Sequence, residues 1–134
     1  MPTGYSGTPL AKKLGFVPGM RVWYDAMPDS VRTEIDVAVD EQPSASADLQ
    51  GAHVFVTRRA DLERIVTAIR HQLTPNGFVW ISWPKKASKV PTDITEDTIR
   101  EVALPTGLVD IKVCAVDETW SGLKLVIRKS LRTP

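Results

Sequence analysis

The run Phe78-Val79-Trp80-Ile81-Ser82-Trp83 constrains this chain more than any other stretch. It is entered through Pro75-Asn76-Gly77 and stopped by Pro84-Lys85-Lys86. A short apolar and aromatic run bounded by turn residues reads as a strand buried on both faces. Such a strand needs a neighbour along each edge, so it belongs in the middle of a sheet. Its end is equally informative, because the chain switches there to a tryptophan, a proline and two lysines. That switch marks a place for function without naming a chemistry.

The 134 residues make one domain, 1–134, long enough to close a hydrophobic core. A net charge of +1 leaves no global field to draw the chain to nucleic acid or to an anionic membrane, so any electrostatic effect is local. The single cysteine, Cys114, excludes an internal disulfide and fits a reducing compartment. No apolar run is long enough to span a bilayer. The opening Met-Pro-Thr-Gly-Tyr-Ser-Gly-Thr-Pro has neither the basic start nor the apolar stretch of a signal peptide. A cytoplasmic protein is expected.

Thr8-Pro9 reads as a helix start, with Leu10 to Leu14 as a short amphipathic helix ended by Gly15. Met20 to Tyr24 is a first strand, with Asp25 at its end. Pro28-Asp29-Ser30 opens a brief helix, and Glu34 to Val39 alternates as a half-buried edge strand. Residues 40–51 are the most loop-like stretch and are expected to be flexible. Ala52 to Val56 is the next strand. Leu62, Ile65, Val66, Ile69 and Leu73 then mark one face of a helix. After the central strand comes a polar loop from Pro84 to Asp93. Thr95 caps a helix reaching about Leu104, and Gly107 ends it. Val109 to Val116 and Leu123 to Lys129 are the last strands, joined by the turn Asp117 to Gly122.

Alternating strands and helices followed by a closing hairpin predict an α/β fold, a three-layer sandwich around a mostly parallel six-stranded sheet. Right-handed crossovers lead to the order 2-1-3-4-6-5 with strand 6 antiparallel, a Rossmann-like arrangement. Open parallel sheets bind ligands outside the carboxyl ends of their strands. Strand 1 delivers Asp25 to that rim, strand 3 delivers Thr57 and Arg58, and strand 4 delivers Ser82, Trp83, Lys85 and Lys86. The turn after strand 5 adds Asp117, Glu118, Thr119 and Trp120, and the start of the first helix adds Tyr5 and Ser6. These are the candidate ligand-binding residues.

Each has a plainer reading. Lys85, Lys86 and Lys89 also suit a solvated loop, and Trp23, Trp80 and part of Trp83 suit a core. Trp120 in an acidic turn needs something to pack on, either the Lys85 loop or a ligand. Asp25 equally suits a helix cap. Arg58 and Arg59 beside a helix start can hold an anion or pair with Asp117 or Glu118. No Walker loop is present, and no His or Cys cluster has metal spacing, so no metal site is assigned. Ser82-Trp83-Pro84-Lys85 matches Ser-x-x-Lys in letters only, since it leaves a strand and contains a proline. Lys85 or Lys86, Asp117 and Glu118 are the acid–base groups at the rim, and no catalytic residue is assigned.

The segment Ala52 to Lys129, with its Leu-Thr-Pro-Asn-Gly turn and closing antiparallel hairpin, resembles the second half of a class I methyltransferase. That resemblance implies S-adenosylmethionine over a glycine-rich turn after strand 1 and an acidic residue ending strand 2. Here the turn reads Asp25-Ala26-Met27-Pro28-Asp29, and too few residues separate strands 1 and 3 for the usual extra strand. The words Gly-Tyr-Ser-Gly-Thr-Pro-Leu at 4–10, Trp-Pro-Lys-Lys at 83–86 and Asp-Glu-Thr-Trp-Ser-Gly-Leu-Lys at 117–124 resemble a family of small bacterial proteins catalogued as a domain of unknown function.

Three function classes follow. The leading expectation is a methyltransferase-like domain without catalysis that binds a small anionic molecule or a protein partner's acidic segment at the rim. The second is a transferase using a relocated S-adenosylmethionine or nucleotide site. The third is a protein-interaction module, monomeric or a homodimer. Nucleic acid is disfavoured as a partner, and no membrane is expected.

Overall fold

The computed structural model describes residues 8–132. Six strands form one sheet among them: β1 (Arg21–Asp25), β2 (Asp40–Gln42), β3 (Leu49–Phe55), β4 (Leu73–Pro84), β5 (Leu108–Ala115) and β6 (Trp120–Ile127). Their order is β2-β1-β3-β4-β6-β5, and β6 alone runs antiparallel to its neighbours. The expected order, with β6 antiparallel, is correct. Helices α1 (Leu10–Leu14) and α2 (Asp29–Ile35) cover one face, and α3 (Arg59–Ile69) and α4 (Glu96–Ala103) cover the other.

β4 divides its side chains between the two layers. Val79, Ile81 and Trp83 join Leu62, Ile65, Ile99 and Leu123 under α3 and α4. Phe78 and Trp80 join Leu14, Phe16, Val31 and Phe55 under α1 and α2. All these β4 residues are buried, and Trp80 is wholly inaccessible. Its indole N–H donates to the Leu14 carbonyl at 2.7 Å, fastening α1 to the middle of the sheet. The bond also satisfies one of the carbonyls left open at a helix end.

Local chemistry explains the helix ends. Thr95 and Thr98 form a reciprocal capping box at the start of α4, with Glu96 and Asp97 in its first turn. α3 has no cap of its own. Its first N–H, that of Arg59, is taken at 2.7 Å by the Asp93 carboxylate from the loop after β4. Gly15 ends α1 in the left-handed conformation, where a side chain would be strained.

Pro9, not Thr8, stands at the cap of α1, with no side-chain cap bond, and three larger expectations fail. The edge strand foreseen at Glu34 to Val39 is instead the end of α2 plus a connector, and the paired strand is Asp40–Gln42. Ile35 sits four residues from Val31 and is buried with it, so its period is helical, and Asp36 at φ 40° turns the chain. β2 has two exposed residues, Asp40 and Glu41, and is defined by pairing with β1, not by alternation. The loop foreseen at 40–51 therefore narrows to 43–48, because β3 already begins at Leu49.

Second, Leu73 does not continue the α3 face. It opens β4 and pairs with Leu49, and Pro75-Asn76-Gly77 becomes an irregularity inside that long strand. Third, the strict alternation expected in β5 breaks between Asp110 and Lys112, leaving Ile111 and Val113 more than half exposed and Cys114 buried.

Replacing Trp80 by Phe keeps an aromatic ring in the core but leaves the Leu14 carbonyl without its donor. We expect a loss of about 2–4 kcal/mol in unfolding free energy by urea titration. A variant within about 0.5 kcal/mol of wild type would show that this bond does not hold α1 in place.

Candidate ligand-binding rim

Asp25, Thr57, Trp83 to Lys86 and the β5–β6 turn all emerge at one end of the sheet, as the strand directions require. The Lys85 N–H donates to the Thr119 carbonyl at 2.7 Å, and Pro84 pairs in register with Trp120. The tryptophan-bearing bend and the dilysine are thus neighbours. Tyr5 and Ser6 lie outside the described residues.

The sheet nevertheless splits the rim. Trp83 lies with the α3–α4 layer, whereas Trp120 packs edge-on to Phe55, ring centroids 5.0 Å apart, on the α1–α2 side. The two tryptophans do not wall one cavity. Trp120 uses β3 as its packing partner, a placement that neither of the two expected settings describes.

Most polar candidates are occupied by structure. Asp117 accepts the N–H groups of Thr119 and Trp120 at 2.8 Å each, which forms the bend. The Thr57 carbonyl accepts from Thr92 Oγ1 at 2.7 Å and from the Asp93 N–H. Arg59 pairs with Glu101 at 2.8 Å and with Glu63, not with Asp117 or Glu118. With Asp93 already on the start of α3, that helix end does not await an anion. Arg58, Lys86 and Glu118 are exposed, and Asp25 and Lys85 are partly so.

What the loop does build is a cleft of about 560 Å³ between the end of β4, residues 86–92 and the start of α4. Trp83, Pro84, Val90, Pro91 and Ile94 supply apolar walls, and Lys86 and Lys89 stand at its side. The loop is held by its own side chains: Ser88 Oγ donates to the Lys85 carbonyl at 2.6 Å and accepts the Val90 N–H at 3.2 Å. Glu96 also lines the cleft, but its carboxylate is engaged by Arg100 at 2.6 Å. Among the described residues no carboxylate lies within 4.0 Å of Lys86 or Lys89. Lys89 is the basic residue missing from the sequence-derived set, and Val90, Pro91 and Ile94 are its missing walls. The Val-Pro pair inside an otherwise polar loop was the available signal.

Ser82 faces the other layer and is wholly buried, with its hydroxyl 2.7 Å from His53 Nε2. The His53 ring stacks on Phe55 at 4.4 Å, and its Nδ1 has no hydrogen-bond partner among the described residues. Burial pushes its pKa down to about 3, so the ring is neutral at physiological pH. The Tyr24 hydroxyl is similarly buried without a partner, and desolvation raises its pKa to about 12.

The turn after β1 does not fit S-adenosylmethionine. Ala26, Met27 and Pro28 all carry side chains where the methyltransferase pattern needs glycine, and Ala26 takes φ 54° without being one. Pro28 at the α2 cap offers no N–H. β2 ends in Gln42, and the neighbouring Glu41 is engaged by both guanidinium nitrogens of Arg32. Among the described residues no group of three His, Cys, Asp or Glu could hold a metal ion, and no helix is long and apolar enough to cross a membrane.

Residues 11–129 match the family described as Protein of unknown function (DUF3052). No curated protein matches the chain by sequence. Solved structures do match by fold. A SAM dependent methyltransferase from Aquifex aeolicus superposes with a TM-score of 0.65 at 11% identity, covering 87% of each chain. A putative type 11 methyltransferase from Sulfolobus solfataricus gives 0.64 at 13% identity, covering 90% of this chain and 89% of that one. Ribosomal protein L11 methylase from Lactobacillus delbrueckii gives 0.57 at 10%, over 89% and 77%. At these identities the likeness is one of fold alone.

His53 makes stability depend on pH with a definite sign. Its folded pKa of about 3 lies below the ordinary 6.5, so the unfolded chain takes up the proton first. Stability is full above pH 6.5 and falls as pH drops toward 3, by at most about 1.4 kcal/mol per unit from this group. Urea midpoints at about pH 7 and about pH 5 are expected to separate in wild type and to draw together in His53→Gln. Equal pH dependence in both proteins would exclude His53 as the source.

Proposed function

Because the chain belongs to the DUF3052 family and keeps the methyltransferase sheet without a cofactor turn, we propose that it is a binding domain, not a methyltransferase. Its ligand is a small molecule with an apolar or aromatic body and an anionic end, held at the strand-end rim. The observation that carries this reading is the cleft beside Trp83, where apolar walls meet two lysines that no carboxylate answers among the described residues.

Several physical features support it. About 560 Å³ suits a metabolite-sized ligand, for which pockets of roughly 300–1,000 Å³ are usual. Thr95 Oγ1 is committed to its capping box and Thr92 Oγ1 to Thr57 and Ile94, which leaves the lysines as the free polar contacts. Specificity would then rest on charge and shape. The bonded loop also presents the lysines without much ordering on binding, which limits the entropic cost.

A thermal-shift screen against aromatic carboxylates, mononucleotides and S-adenosylmethionine tests the reading. At a hundredfold excess over Kd, a true ligand is expected to raise Tm on the order of 10 °C. The Lys86→Ala/Lys89→Ala variant, altered only at exposed positions, should fold normally and lose that shift. Stabilisation by S-adenosylmethionine that survives the double substitution would overturn the proposal. Stabilisation only by acidic peptides would move the ligand to a partner protein.

A further inference from the structure

A second basic position lies on the opposite face, away from the cleft. Lys112 on β5 and Lys124 on β6 are register partners, and like charges directly opposite on antiparallel strands repel. The arrangement is built, not incidental. Asp110 pairs with Leu125 and Lys112 with Lys124, so one extra residue, Ile111, is accommodated between them. Without that irregularity Lys112 would share the face of Asp110, which is bonded to Arg100 at 3.1 Å. The irregularity turns Lys112 away from that carboxylate and onto the face of Lys124, the kind of re-aiming that bulges perform.

Lys124 is partly buried. Its ammonium sits over the Phe78 ring at 4.5 Å and near Trp80 at 6.0 Å. Burial, and then the neighbouring Lys112, pull its pKa below the usual lysine range. Lys13 of α1 reaches the Ala115 carbonyl, three residues along β5 from Lys112, at 3.4 Å. Among the described residues none of these three lysines has a carboxylate within 4.0 Å.

We propose that Lys112 and Lys124 bind a compact oxyanion, a phosphate group, on the α1 side of the β5–β6 hairpin. A small anion with several oxygens can accept from both ammonium groups at once and removes the repulsion between them. Its two negative charges near neutral pH match two lysines, which bind phosphate as point charges. No aromatic ligand is called for, because the rings beneath Lys124 are already covered by its own ammonium. This site is independent of the cleft beside Trp83.

Thermal melts in chloride and in millimolar phosphate at equal ionic strength test it. Wild type is expected to gain a few degrees in phosphate, and Lys112→Gln and Lys124→Gln to gain none. Lys112 is exposed, so its variant carries the test if Lys124→Gln folds poorly. Glycerol phosphate is run beside inorganic phosphate: a larger gain from the ester would make the natural ligand a phosphate monoester, and equal gains the free ion. The Lys86→Ala/Lys89→Ala variant should keep the phosphate response. If the response vanishes there instead, or if wild type shows none, the lysine pair is not an anion site.

Discussion

Two-sided burial of β4 is the constraint from which the rest of this molecule follows. A strand whose successive side chains all leave water must have a layer over each face and a neighbour at each edge. Here α3 and α4 supply one layer and α1 and α2 the other, with β3 and β6 at the edges. Even the polar Ser82 conforms, because His53 on β3 gives its hydroxyl a partner. The opposite residue on β6 is Gly122, where a Cβ would lie 3.1 Å from the Trp80 ring and 3.3 Å from the Ser82 hydroxyl, so those neighbours would have to give by a few tenths of an ångström. The end of β4 then fixes where the basic loop starts.

How much of this could be read from residues alone depends on whether a signal was local. The strand order was legible because parallel strands with short connections admit few right-handed threadings. The rim was legible for the same reason. The edge strand β2 was not, because Asp40 and Glu41 carry no periodic signal and the strand exists only through bonds to β1. Leu73 misled because its spacing from Ile69 suits a helix as well as the first pairing of a strand. At the rim, which loops meet was legible but the side each residue takes was not. Trp83 and Trp120 come from adjacent antiparallel strands, and a shift of one residue in pairing exchanges the face a side chain occupies. Nor could periodicity show that Asp93, thirty-four positions from Arg59, caps the helix that Arg59 begins.

The contrast between sheet and turn explains why a likeness of fold does not by itself carry an activity. The sheet is held by hydrophobic contacts spread over both layers, which tolerate wide changes of residue as long as the apolar pattern persists. A cofactor cradle is a single turn with little tolerance, since each added Cβ fills the space a pyrophosphate or sulfonium group would need. The turn after β1 carries side chains at Ala26, Met27 and Pro28. Glu41 has meanwhile been drawn into tying β2 to α2 through Arg32, whose guanidinium also lies over the Tyr24 ring at 5.4 Å. Residues beside the end of β1 thus serve packing, and the cleft lies beyond β4.

The charges are sorted in a way that net charge conceals. Seventeen lysines and arginines stand against sixteen acidic residues, which reads as neutrality. Every ion pair among the described residues is nonetheless made by an arginine: Arg32, Arg59, Arg64 or Arg100. The guanidinium fork suits that role, since it holds two carboxylates or both oxygens of one in fixed geometry. Arg100 joins Glu96, Asp97 and Asp110, tying α4 to β5. The lysines are left over, at 85–89 on one face and at 112 and 124 on the other. A compact ammonium on a flexible stem does little for stability at such positions. Their grouping beside apolar or aromatic surface is what the two proposed anion sites rest on.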